Sequence, residues 1–318
     1  LHQVLYYDPA CVSREEFYAA LDKGEEIMAP ALARHNSSTA PSVGIIGHSH
    51  MDTAWLWHID ETIKKCARTY SNQLNLMEQY PEYTFVQSSA YHGEVIREHY
   101  PELFSRIQEK VQEGRYEPNG GVWVECDCNI TSGESMIRQF LWGQRFTRQY
   151  FGYTSDAFWL PDTFGYSAAI PQIMKGCDVK YFLTTKMAWN DTNQFPYDTF
   201  YWKGIDGTRV FAHLNKTHVW PAPKDFYEYV YGTKSPDAVR QKYVADRKLI
   251  SYGFGDGGGG PQFEMVEIAR RCHDLEGCPK ADHTTVSRFM QELEANAKNP
   301  DTYSGELYLE LHRGTLTN

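Results

Sequence analysis

The chain has 318 residues, 42% hydrophobic and 23% charged, with a formal net charge of −10. That balance marks a folded globular chain, excludes extended disorder, and argues against nucleic acid or an anionic membrane as partner. The length suits one large or two ordinary domains. No apolar run approaches a membrane span and no secretory signal opens the chain. The seven cysteines are scattered, odd in number and without a CxxC pair. They suggest reduced thiols and a cytoplasmic setting. Aromatic residues make up 14%, and flat rings are common walls of sugar-binding clefts.

Residues 1–42 read as a helical lead-in. A helix is expected over 14–35, with Phe17, Ala20, Leu21, Ile27 and Leu32 buried, followed by a polar linker. The main domain, 43–318, opens on the apolar run Val43-Gly44-Ile45-Ile46, a buried parallel strand. It leads into GHSHMDTAW, Gly47 to Trp55. Side chains alternate along a strand, so His48, His50 and Asp52 point the same way if extension persists. Two imidazoles and a carboxylate at a strand end make a metal-site candidate. His50 and Asp52 are the ligands expected, with His48 supporting them. Nitrogen and carboxylate donors suit zinc, with cobalt or manganese as alternatives. The plainer reading packs one His in the core and uses Asp52 as a helix cap.

A helix is expected over 60–79, with Ile63, Ala67, Tyr70, Leu74 and Met77 as its apolar stripe. A strand at 84–88 precedes a helical stretch at 91–112, broken at Pro101. Gly120-Gly121 leads into an alternating run, 122–128. There Trp123, Glu125 and Asp127 share one face and Val122, Val124 and Cys126 the other. A salt bridge or helix cap would also explain those acids. A helix at 134–150 and a strand at 157–160 follow, the strand running into Pro161-Asp162-Thr163-Phe164-Gly165. A carboxylate directly after a core strand occupies a functional position in α/β folds.

A helix after Ser167 and a strand at 181–185 come next. A long aromatic loop at 186–201 contains Trp189, Phe195, Tyr197 and Phe200. A strand at 208–213 and an aromatic loop at 220–231 precede a strand at 248–254, which enters Gly255-Asp256 and four further glycines. Helices at 262–275 and around Val286, Phe289, Met290 and Leu293 precede a last strand at 306–311. Strands and helices alternate about seven times, which implies an α/β fold with a largely parallel, closed or nearly closed sheet.

Metal-assisted attack on a carbonyl and carboxylate-pair cleavage of a glycosidic bond both fit the strand-end residues. No G-x-S-x-G elbow is present, and the glycine run lacks the Lys-Ser/Thr of a phosphate loop.

The segments GHSHMDTAWLW, GGVWVECDCN with the following SGES, WLPDTFGYSAAIPQI, TTKMAWNDTNQFPYDTFYWKGIDG, GFGDGGGGP and LYLELHRGT fall in order along the chain. With them the sequence resembles glycoside hydrolase family 38, the zinc-dependent retaining α-mannosidases, of the cytosolic/bacterial type. The resemblance implies a seven-stranded, mainly parallel (β/α)7 barrel-like domain of glycoside hydrolase/deacetylase type. It implies His50, Asp52 and Asp162 as zinc ligands and Asp162 as nucleophile. Asp256 is assigned as acid, with Glu125 and Asp127 as fallbacks. Trp55 and Phe164 would line the mannose subsite, and His48, Glu125, Asp127, Lys186 and His312 would complete the substrate-facing set. The partner would be an α-mannoside oligosaccharide, with a homo-oligomer also considered. The family's fourth ligand lies in a His-Asp segment that does not follow Thr315. The resemblance therefore implies three of four protein ligands here, weak zinc binding and low activity for this chain alone. The rivals are a zinc-dependent carbohydrate deacetylase and a non-catalytic sugar-binding module.

Overall fold

The computed structural model describes residues 8, 10–233 and 235–311. Helix α1 (Arg14–Leu32) starts at a capping box between Ser13 and Glu16. Only Gly24 is buried in it, and Ile27 and Leu32 stand exposed. The expected buried stripe is therefore wrong, because this helix lies on the surface. It is tied down just beyond its end, where Asn36 hydrogen-bonds Asp274 and Leu275.

Strand β1 (Ser42–His48) leads to α2 (Ile59–Gln79), β2 (Phe85–Val86), α3 (Ala90–His99) and α4 (Pro101–Gln112), with the break where Pro101 places it. Next come β3 (Tyr116–Glu117), α5 (Gly133–Phe151), β4 (Ala157–Trp159), α6 (Ile170–Gly176) and β5 (Tyr181–Thr184). Then follow β6 (Thr199–Lys203), β7 (Arg209–Leu214), β8 (Lys216–Val219), α7 (Pro223–Tyr231) and β9 (Lys248–Tyr252). The last elements are α8 (Phe263–Arg271), β10 (Lys280–His283), α9 (Val286–Asn296) and β11 (Thr302–Ser304).

The strands form two sheets. One runs β3-β2-β1-β9-β8, with β10 beside the first half of β1, and every pairing in it is parallel. The other runs β11-β6-β7-β5-β4, where only the β6–β7 pair is antiparallel. The sheets touch where Trp159 N of β4 donates at 3.4 Å to Gly120 O beyond β3. Among the described residues no continuous ladder closes them into a seven-stranded barrel. Two of the strands are only two residues long, and β6–β7 turns back as a hairpin instead of crossing over through a helix.

Strand alternation sorts side chains between layers. Val43 and Ile45 pack with Tyr70, Leu74 and Phe85 under α2, whereas Ile46 packs with Trp159, Leu183, Leu249 and Phe289. Phe158 and Leu160 face a third cluster with Phe140 and Met174 of α5 and α6. Each such fully buried side chain contributes about 1.5–3 kcal/mol.

Three other expectations fail. Residues 122–128 are not a strand, because Trp123 N and Val124 N bond the backbone and side chain of Gln139 in α5. Residues 220–231 contain α7 rather than a loop. At 306–311 only Leu307 bridges, to Tyr166. Strands β3, β6, β8, β10 and β11 were not anticipated, and β6 begins within the expected loop at 186–201.

Candidate metal and catalytic centre

The parallel strands deliver their carboxyl ends to one rim. His50 and Asp52 follow β1, Asp162 follows β4, Lys186 follows β5 and Asp256 follows β9. His50 is 2% exposed. Its Nε2 lies 3.2 Å from Asp162 Oδ2 and 3.5 Å from Asp52 Oδ1, and its Nδ1 lies 3.1 Å from Glu125 Oε2. His50, Asp162 and Asp256 can each offer one ligand atom, all within 4.8 Å of one another, whereas the expected ligand Asp52 falls outside that group, its Oδ1 approaching His50.

Lys186 opens a short 3₁₀ turn, Lys186–Ala188. Its ammonium sits 2.5 Å from Asp162 Oδ1, and 4.5 Å and 3.6 Å from the ring centres of Phe164 and Trp189. Burial alone would raise the Asp162 carboxyl. The adjacent His50 ring, then the Lys186 ammonium, outweigh it and hold the group well below the usual carboxylate range. Burial would likewise lower His50, but Glu125, Asp162 and Asp52 around it raise it well above the ordinary imidazole value.

The glycine loop is pinned rather than loose. Gly259 N donates to Thr69 Oγ1 at 2.9 Å, and Gln73 Nε2 donates to Gly259 O at 3.0 Å. Gly253 at its entrance has φ +134°, and a Cβ there would lie 2.3 Å from His48 O, so only glycine fits. The loop carries Asp256 at φ +61° with its side chain 58% exposed, and Asp52 N donates to Asp256 O at 3.3 Å.

The remaining sequence candidates divide. His48 is buried, with neither ring nitrogen hydrogen-bonded, and lies 4.6 Å from the Trp159 ring. Burial, then His218 and His50, push it well below the ordinary imidazole value, so it is neutral. Asp127 is not brought to the cluster. Its Oδ1 accepts from Asn129 N and Ile130 N in a local turn. Trp55 is 59% exposed at the rim, edge-on to Trp57. His312 lies outside the described residues. His218 on β8 was missed. It stands at φ +58°, its ring 5.0 Å from that of His50 and its Nδ1 3.9 Å from Asp256 Oδ1. Nothing in the local sequence KTHV marks it, since the strained backbone comes from tertiary packing.

The donor set fits a divalent metal. His50 Nε2 is sealed from solvent without a hydrogen bond and points between two carboxylates. Zinc with nitrogen and oxygen ligands at about 2.0–2.1 Å spaces its donors by about 3.3 Å in a tetrahedron, close to both separations.

Fold and cluster thus define an α/β domain with a histidine–carboxylate centre at the carboxyl ends of its parallel strands. Residues 40–306 match the family model for the glycosyl hydrolases family 38 N-terminal domain, and the chain belongs to that family. It is 44% identical over 290 residues to Alpha-mannosidase 2C1 of Homo sapiens, covering 89% of this chain and 27% of that protein. It is 42% identical over 286 residues to Alpha-mannosidase G of Dictyostelium discoideum, covering 90% and 26%. The chain thus spans about a quarter of the length of these curated relatives. In structure it resembles an alpha-mannosidase from Enterococcus faecalis V583, with a TM-score of 0.71 at 20% identity over 84% of this chain and 31% of that one. It also resembles a putative polysaccharide deacetylase from Mycobacterium smegmatis, with a TM-score of 0.51 at 12% identity over 89% and 99%. At those identities the likeness is one of fold.

Proposed function

We propose that this domain carries the catalytic centre of a retaining α-mannosidase acting on terminal α-linked mannose of oligosaccharides. The observation that carries the reading is Asp162. It is held ionised between His50 and Lys186, with Asp256 close by across the same rim. Retaining glycosidases keep their two carboxyl groups about 5–5.5 Å apart, and the short separation of Asp162 and Asp256 supports that class over inversion.

Asp162 attacks the anomeric carbon and forms an ester as the glycosidic C–O bond breaks. Asp256 gives its proton to the departing oxygen. Asp256 then takes a proton from water, which attacks the same carbon, releases mannose and restores Asp162. The exposed Trp55 and the Phe164 ring beside Lys186 serve as apolar walls for the sugar. His50, Asp52 and Asp162 would hold the metal, zinc in the first instance with cobalt or manganese as alternatives. When bound, it supplies positive charge against sugar hydroxyls as the ring distorts. Among the described residues no helix is long and apolar enough to cross a membrane. We assign a cytoplasmic setting on the free, scattered cysteines.

The test is an aryl α-mannoside assay on the whole protein carrying this domain, with and without chelator, following the first anomer released by NMR. α-Mannose released only with metal present supports the reading. β-Mannose as first product overturns retention. Acetate release from an acetylated sugar favours a deacetylase, and binding without product favours a module.

A further inference from the structure

We propose that Glu125 is the positioning residue of the centre. Fixed by Ser88, it holds the His50 ring by Nδ1 and so turns Nε2 towards Asp162 and Asp52. The inference rests on the metal reading above and deepens it. The sequence leaves Glu125 as a fallback acid or a sugar contact, but the structure commits both of its oxygens inward. Oε1 accepts from Ser88 Oγ at 2.5 Å, and Oε2 stands 3.1 Å from His50 Nδ1. His50 Nδ1 and Glu125 Oε2 are both sealed from solvent and are satisfied by no hydrogen bond, so their 3.1 Å contact is the polar pairing within reach of either.

Both oxygens of Glu125 already meet protein groups, Ser88 on one side and His50 on the other. An imidazole can carry its proton on either nitrogen, and the group opposite one nitrogen decides which is bare. Carboxylates in this position fix the tautomer and ring angle of metal-binding histidines. The support is rigid. Ser88 follows β2, and Gly120 packs so closely on it that a Cβ would sit 2.0 Å from Ser88 O. Two residues before Glu125, Trp123 N donates to Gln139 O at 3.0 Å. Ser88, Gly120 and Gln139 thus brace the segment that carries Glu125.

The test uses Glu125→Ala, Glu125→Gln, Glu125→Asp and Ser88→Ala. Zinc affinity is read by competition with a chromophoric chelator. Glu125→Ala should weaken it by about 10–100-fold, with Ser88→Ala milder and Glu125→Asp partly restoring it. Long-range ¹H–¹⁵N spectra of the chelated, ¹⁵N-histidine-labelled chain give a readout independent of metal. Wild-type His50 should show a protonated Nδ1, and its signals should move in Glu125→Ala.

Unchanged zinc affinity in folded Glu125→Ala, or a bare Nδ1 in the wild type, overturns the proposal. So does a loss confined to substrates with poor leaving groups, which would make Glu125 the acid. A wild type that binds no zinc sinks the metal reading instead, and the tautomer measurement still judges Glu125.

Discussion

Lys186→Met removes the ammonium beside Asp162 while keeping most of the side chain's length. The ion pair it breaks is 2.5 Å long, with Lys186 7% and Asp162 16% exposed. Removing one partner of a buried pair costs about 3–5 kcal/mol, because the other charge stays buried. His50 remains 3.2 Å from Asp162, so the lower end, about 3 kcal/mol, is expected. The pH dependence separates charge from packing. The folded Asp162 carboxyl is depressed: burial opposes this, but His50 and Lys186 prevail. Its contribution is therefore present above the unfolded value, about 3.9, and lost as pH falls through the lower folded value. Urea unfolding of wild type and variant in chelated buffer should show the deficit at pH 7 and a smaller one near pH 3. A deficit under about 1 kcal/mol at pH 7, or one independent of pH, would refute the assignment of Lys186 as the charge that holds Asp162.

Two further outcomes follow from the same structure. Burial, then the charge of Lys248, pushes His213 down to about 3. Its Nε2 accepts from Leu249 N at 3.2 Å and its Nδ1 meets Thr199 Oγ1 at 3.0 Å, the pattern of a neutral ring. A depressed histidine stabilises above its unfolded value, about 6.5, and loses that contribution as pH falls. Wild type should thus lose on the order of 2–3 kcal/mol from His213 between pH 6.5 and 4.5, and His213→Gln should flatten that part of a urea-derived stability profile. Gly253→Ala should cost about 1–3 kcal/mol in the same unfolding assay and weaken zinc binding, since its Cβ would press on His48 O at the end of β1.

The strand ends that carry chemistry were legible because buried parallel strands write themselves as short apolar runs. Val43 to Ile46 and Ala157 to Leu160 are such runs, and the residues after them are the ones at the rim. The break at Pro101 was local too. What escaped was non-local. Alternation at 122–128 imitates a strand, yet its backbone bonds are taken by α5 and by the Asp127 turn. Strand β8 is polar in sequence and, among the described residues, pairs only with β9, so it carries no apolar signal. The roles of Glu125 and Lys186 depend on partners far along the chain. Local spacing could mark these residues as polar groups in odd places, but not say what they face.

The central claim is that Asp162 bonds to the sugar. The most direct measurement incubates the whole protein with a fluorinated mannosyl fluoride that forms the glycosyl-enzyme quickly and releases it slowly, then maps the adduct by peptide mass spectrometry. The account expects one mannosyl-sized mass on the peptide containing Leu160-Pro161-Asp162, absent in Asp162→Asn. A stable adduct on Asp256, Glu125 or any other residue would contradict it.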